Sequence, residues 1–480
     1  MQILPPKLIE DLSGGVVSYA DLDTLPENIS PHTVNMHFDF LGDVSQRYGT
    51  TKLGSTVSSS HPCQGMSQFI SNDGSRNRLV SAFNGTNFAF DGTTYTSIGG
   101  GMSLAPVRYA TFLNYMYRAG GGSATLTWDG IIGDGFSNYN TVNAPTGKYI
   151  IPYLQRMYVA GDPTYPQRLW FSTIATFGGA ITWDTSSASN QWIDFTPVRA
   201  NDVITGLDKI SGLLMVFLNN SLYSFNGSSP SAQLIANVGC SSQESIAQQK
   251  GFMFFFNPTG IYMTTGGYPQ EISRPVYDWI SSMNPSKYSS VSGFCDQDHY
   301  YCNIGNITLT PSTKYRRGTS FTNVWLVYTI SSQCWTIYSL GNSFNVFTVY
   351  TDTSSNLTYV GGDSVGNVQT LFSGTTDNGA PIYYEYDSRP YEFGSPTTTI
   401  KVIDMSCTVV NGAGAQVAIS ESNKPFRTIG EVTDITTIFY NVNAQSKSVQ
   451  MKFFGSNTQA PVILDGFEFI IVQDQGYVRV

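Results

Sequence analysis

Five carboxylates crowd one stretch late in the chain: Asp363, Asp377, Glu385, Asp387 and Glu392. Two carboxylates suffice to hydrolyse a glycosidic bond, one as general acid and the other as nucleophile or base, so this group defines a glycosidase reading. Their neighbours favour a plainer role. Asp363 and Asp377 stand beside Gly or Asn, in turns where a short acceptor side chain bonds local backbone N–H groups. Exposed turn carboxylates contribute on the order of 1 kcal/mol or less. Single Asn or Gln replacements at Asp363, Asp377, Glu385 and Glu392 are therefore expected to leave assembly nearly intact, and no hydrolysis and no catalytic residue are expected.

Other chemistries lack their minimal parts. The four histidines, His32, His37, His61 and His299, show no HxxxH or HxH spacing, and no CxxC pair occurs, so no metal and no cofactor is expected. There is no GxSxG elbow, no GxxxxGK[ST] loop and no Asp-box of the sialidase type. Two Thr-Trp-Asp triplets, at Thr127 and Thr182, have no Gly-His partner at the spacing of a WD repeat.

The six cysteines are Cys63, Cys240, Cys295, Cys302, Cys334 and Cys407. Cys295 and Cys302 flank the polar turn Asp296 to His299, so a hairpin centred there would set them opposite each other at disulfide-compatible distance. The N-terminus has no basic and apolar regions of signal-peptide type, which implies a reducing compartment. Buried small apolar residues are then the default for these thiols. One basic spot, Lys314, Tyr315, Arg316 and Arg317, lies in a polar insertion between Asn306 and Asn323. It reads either as a solvated loop or as a contact with an acidic neighbouring subunit or DNA.

The elements that carry these residues are strands. Only 12% of the 480 residues are charged, 41% are hydrophobic and 14% aromatic, a mixture that suits pleated, half-buried sheets and excludes a disordered chain. The formal charge of -9 argues against a surface built to grip phosphates. No apolar run approaches the roughly 20 residues of a membrane helix.

An aromatic or apolar strand end followed by a small polar residue, usually with Gly, recurs at Asp91, Asp129, Asp184, Asn226, Thr265, Ser339 and Ser373. Most intervals fall near the roughly 40 to 50 residues of a four-stranded propeller blade, and the longest contains the insertion at 306–323. Met116 to Gly120 reappears as Met157 to Gly161. Hairpins are legible at Leu213 to Phe225 and at Phe252 to Met263, each joining a nearly continuous apolar strand to a more alternating one. Beyond Thr376 the period stops, and longer alternating strands follow at 382–386, 399–410, 416–420, 436–442, 446–454 and 462–472. The only stretch read as helical is Pro275 to Met283.

The expected fold is all-β: a β-propeller of about seven blades over 61–375, followed by a C-terminal β-sandwich over 376–480. Residues 1–60 form an N-terminal segment that either closes the ring or lies outside it.

Several short motifs then resemble one family. Leu12 to Gly15, Pro26 to Asn35, Phe38 to Gly42 and Gln46-Arg47-Tyr48-Gly49-Thr50 are similar to the opening of tailed-phage propeller proteins of the tail-nozzle or tail-hub type. Leu169 to Ser172, Asp202 to Leu207, Val238 to Cys240 and Gly260 to Ser273 agree in the middle. Gly362 to Val368, Thr376 to Ile382 and Phe393 to Lys401 agree late in the chain.

The resemblance implies a non-enzymatic virion tail protein, made in the host cytoplasm. It would assemble as a ring, often six-fold in this family, with a tail adaptor and other tail proteins as partners. Genomic DNA would pass transiently through its channel. An acidic, lightly charged wall suits that role, because Lys and Arg on the lumen would hold the duplex at each phosphate contact. The competing class is a host-receptor or glycan-binding adhesin of a phage tail, consistent with abundant Tyr, Trp, Asn and Ser in loops; the glycosidase is the third reading. The basic insertion, Lys314 to Arg317, is expected to be a docking element between subunits or rings, because it interrupts the repeat, concentrates positive charge in a chain of net -9 and sets Tyr315 among the charges.

Overall fold

The computed structural model describes residues 2–38, 42–175, 180–186, 190–195, 202–227, 232–309, 319–393, 400–422 and 424–473. The basic spot Lys314, Tyr315, Arg316 and Arg317 lies outside the described residues.

The chain is an all-β protein with a β-propeller as its larger part. Between Cys63 and Leu371 it runs through six four-stranded antiparallel sheets and one three-stranded sheet, each built of strands consecutive in sequence save for one outer strand. The first strands are Cys63–Ile70, Val107–Phe112, Tyr149–Tyr153, Ile204–Ile210, Ala247–Gln249, Ser292–Cys295 and Phe344–Thr351. They form the inner circle, and Phe344–Thr351 packs against Cys63–Ile70 to close it. Four of them, through Ser67, Arg108, Tyr149 and Leu207, line an axial pocket of about 360 Å³.

Second strands are the most apolar, because a sheet stacked between two others is covered on both faces. Leu214 to Leu218 are wholly buried, as are Met253 to Phe256, and Phe217 meets Phe255 at a ring separation of 5.0 Å across neighbouring sheets. The repeated Met-Tyr segments are second strands as well, at Tyr115–Gly120 and Arg156–Ala160. The recurring polar residues mostly close third strands, as Asp91 does after Thr86–Phe90 and Asn226 after Leu222–Phe225. In the three-stranded sheet the outer position is held by a single bridge, with reciprocal backbone bonds of 2.8 Å between Thr127 and Ser137.

Two larger sheets follow Thr376 and face each other across one core. The six-stranded sheet centres on Ile382–Asp387, Ser448–Asn457 and Gln416–Glu421. The eight-stranded sheet centres on the long pair Ile400–Val410 and Ile463–Gln473. Alternate residues point inward, so Val402, Met405, Phe467 and Phe469 of one sheet share a core with Val417, Ile419, Met451 and Phe453 of the other. The same core continues into the propeller through Phe254, Trp279, Tyr300 and Trp335.

Strands of the N-terminal segment are shared between the last propeller sheet and the two larger sheets. Thr50–Lys52 pairs with Val368–Leu371 as the outer strand of the last propeller sheet. Gln2–Ile3, Lys7–Ile9, Met36–Phe38 and Val44–Gln46 join the eight-stranded sheet, and His32–Val34 joins the six-stranded one. The helical stretch is a 3-10 turn, Arg274–Val276, running into a one-turn α-helix, Tyr277–Ser281.

The opposed placement of Cys295 and Cys302 read from the Asp296 turn requires correction. Cys302 faces Gly293 and Cys295 faces Tyr300, so the two thiols lie diagonally rather than opposite, and all six cysteines are free. The turn closes one step away from the symmetric register because Asp296 Oδ1 takes the backbone N–H groups of both Asp298 and His299. Among the described residues, no helix is long and apolar enough to cross a membrane.

Candidate functional site at the junction of propeller and terminal sheets

The segment Gln46 to Thr50 runs between the terminal sheets and the propeller rim, and Arg47 lies at its centre. Its guanidinium uses all five N–H donors, the full inventory of that group. Nε donates to Asn35 Oδ1 at 2.7 Å. Nη1 donates to Asp377 Oδ1 at 2.9 Å and to the Tyr48 carbonyl at 3.0 Å, while Nη2 donates to Asp377 Oδ2 at 2.6 Å and to the Ser339 carbonyl at 3.1 Å. Asp377 also accepts the Gly341 N–H at 3.0 Å. A buried ion pair is tolerable only when its remaining donors and acceptors are satisfied, and this one meets that condition.

The backbone approaches closely at the same place. Thr50 donates to the Thr376 carbonyl at 3.0 Å, Asn378 donates back to the Thr50 carbonyl at 2.8 Å, and Gly49 exchanges bonds with Ser373 and Gly374. A Cβ on Gly49 would lie 1.9 Å from the Thr376 carbonyl oxygen, so only glycine fits there.

Of the carboxylates singled out from the sequence, Asp377 and Glu385 line one pocket of about 460 Å³, and the expectation that the five are exposed is overturned for all but Glu392. Asp363 is wholly buried at the Leu357–Asp363 hairpin end. It accepts the N–H groups of Val365 at 3.0 Å and Asn367 at 2.7 Å, and the side-chain amides of Asn367 and Gln369. The turn role read from its neighbours is right, but the turn is folded inward. Asp377 is spent on Arg47. Glu385 and Asp387 lie buried on the Ile382–Asp387 strand, where Glu385 meets Lys452 at 2.6 Å and His32 at 3.6 Å and takes the Tyr383 hydroxyl. Glu392 is exposed on the short Tyr391–Glu392 strand.

Beside Arg47 opens a cleft of about 760 Å³. Two histidines that no sequence motif joins line it. His37, from the terminal sheets, and His299, from the propeller, meet edge to face at 4.8 Å. His299 Nδ1 sits 2.9 Å from Asp296 Oδ1, Tyr301 donates its hydroxyl to Asp296 Oδ2 at 2.8 Å, and His37 Nδ1 lies 3.1 Å from the Tyr338 hydroxyl. Burial pushes the Asp296 carboxyl up, but the hydrogen bond and charge of His299 outweigh it and hold the group below the usual carboxylate range. Burial drives the Tyr301 hydroxyl far above the ordinary phenol value.

The wall is aromatic: Phe372 stacks on Tyr301 at 4.8 Å, and Tyr359 and Tyr48 complete it. Phe372 adopts φ +54°, a left-handed conformation that a bulky residue seldom takes.

A third cluster lies at the propeller axis, where Arg108 pairs with Glu244 at 2.6 Å and burial raises the Asp208 carboxyl.

No local pattern in the sequence ties Arg47 to Asp377; its one signal is the motif Gln46 to Thr50, an Arg followed by an aromatic residue and Gly.

No protein-family model matches the chain, and no curated protein matches it in sequence. Solved structures are similar at low identity. YCF48 from Cyanidioschyzon merolae is 9% identical, with 68% of this chain and 98% of that one covered and a TM-score of 0.42. BamB from Moraxella catarrhalis is 12% identical, covering 64% and 84%, with a TM-score of 0.38. An exo-β-1,3-galactanase from Phanerochaete chrysosporium is 10% identical, covering 76% and 95%, with a TM-score of 0.25. No activity follows from similarity at this level.

Proposed function

We propose that the chain is a structural, non-enzymatic virion protein of a bacteriophage tail, of the nozzle or hub type, made in the host cytoplasm and assembled as a ring-shaped conduit for genome ejection. In this reading the three-stranded Val107–Trp128 sheet counts as a blade, which makes seven. The terminal sheets form a β-sandwich that takes in the N-terminal strands. Partners are further copies of the chain, a tail adaptor and other tail proteins, with DNA passing transiently.

One observation carries the reading. Two of the segments that carry the resemblance to tail proteins, Gln46 to Thr50 and Thr376 to Ile382, meet at the junction and hold each other through Arg47, Asp377 and a close backbone pairing. Residues so used couple two β units into one stiff body, as the wall of a conduit requires. The buried carboxylates support the same reading against a glycosidase, because Asp363, Asp377 and Glu385 are committed to internal partners. The formal charge of -9 suits a surface past which DNA slides.

The test is imaging of particles that contain the chain, with the adaptor present, since ring closure in such tails often needs that template. A closed ring of six or twelve copies supports the conduit; one or three copies support an adhesin.

A further inference from the structure

The cleft beside Arg47 has a chemistry that neither the junction nor the conduit requires. Its volume of about 760 Å³ falls within the usual range of small-ligand sites. The charged groups that line it are paired: Arg47 with Asp377, Asp298 with Lys250 at 2.5 Å, and Asp296 with His299 and Tyr301. Among the described lining residues no cation is left to hold a phosphate or a carboxylate ligand. What remains is a flat aromatic wall and, around it, neutral groups that both donate and accept, among them Gln297 and Thr358.

Phe372 adds a second observation. It forms part of that wall while held at φ +54°, at the end of the Val368–Leu371 strand, with its ring stacked on Tyr301. Strained backbone of this kind persists where the surroundings over-determine it, and it clusters at ligand clamps. At this φ the Phe372 ring stands beside Tyr301 in the wall of the cleft.

We propose that this cleft binds a neutral saccharide of roughly two to four rings, which is the size its volume admits. Aromatic side chains present an apolar face with a polar edge, and the C–H faces of a pyranose ring stack on such a surface. Phe372 and Tyr359 supply the faces. The side chains of Gln297 and Thr358 meet the sugar hydroxyls. The site does not rest on the conduit reading, since it belongs to one subunit and is complete without a second.

The test uses the full chain on a printed array of neutral and acidic oligosaccharides, with the best neutral hit titrated by calorimetry. The expected result is a neutral ligand with Kd between about 10 μM and 1 mM, preferred over acidic glycans by at least about tenfold. Phe372→Gly accepts the left-handed backbone but removes the ring from its packing on Tyr301 and Phe294, so it should lower the thermal transition while keeping a cooperative fold, and weaken binding at least about tenfold. Tyr359→Ala should do the same by removing the other face. The proposal is overturned by an array without a neutral hit, by preference for acidic glycans, or by affinity that stays within about twofold in both variants. Copy number in the particle is unaffected by any of these outcomes, so failure here and failure of the conduit reading are separate results.

Discussion

Arg47 and Asp377, 330 positions apart in the chain, form a bidentate ion pair at 2.9 and 2.6 Å with both side chains almost wholly buried. Removing one partner of such a pair leaves an uncompensated charge in the interior, a loss of about 3 to 5 kcal/mol. Arg47→Ala and Asp377→Asn should each show that loss in urea denaturation, and the double variant should be much less than additive. Glu392→Gln, at an exposed position, should stay within about 0.5 kcal/mol of the parent. Equal, small effects at Asp377 and Glu392 would contradict the junction as described.

Gly49 is the backbone counterpart of that pair. With the Thr376 carbonyl 1.9 Å from where its Cβ would stand, Gly49→Ala must push two chain segments apart, and it should prevent folding or lower the thermal transition by many degrees. Gly267→Ala meets nothing within 4 Å and serves as the neutral comparison. Soluble yield and calorimetric melting separate the two.

The N-terminal strands also predict a pattern of truncation. Ending the chain after Thr376 removes the sheets that Met36–Phe38, Val44–Gln46 and His32–Val34 pair with, exposing Met36, Phe38 and Val44. Such a chain should aggregate, and limited proteolysis of the whole protein should not release a propeller core that ends near Thr376. A stable, monodisperse 1–376 fragment would show that the terminal sheets fold independently.

Burial pushes the thiols of Cys63, Cys302 and Cys407 up to about 12 and that of Cys240 to about 11. All four should resist alkylation in the native protein at about pH 8, where the nucleophilic thiolate is scarce, and react after unfolding. The sign for stability follows from linkage. A thiol whose folded value is raised contributes fully below its ordinary value of about 9, and the contribution is lost as pH rises towards the folded value. The melting temperature should therefore fall between about pH 9 and 11, and a flat profile there would contradict the burial of these groups.

Much of this architecture is legible in the residues because it is local. Apolar strands such as Leu213–Leu218 and Phe252–Asn257, with Asn, Ser or Pro-Thr-Gly turns, announce their own hairpins, and the end of the period near Thr376 marks the change to longer strands. The unreadable parts are those decided by distant partners. Nothing around Met36 or Val44 tells that they add strands to a sheet whose centre begins at Ile400, because no local period encodes that pairing. Asp363 and Asp377 sit in turn sequences that fit a surface equally well, and their burial depends on Gln369 and Arg47. His37 and His299 have no motif because they come from different units.

The most direct measurement is the copy number and symmetry of this chain in assembled particles, by cryo-electron microscopy of intact virions. The account predicts six or twelve copies in a closed ring around the axial path of the DNA, with each subunit's propeller and terminal sheets moving as one body. One or three copies at a fibre tip, away from that axis, would contradict it.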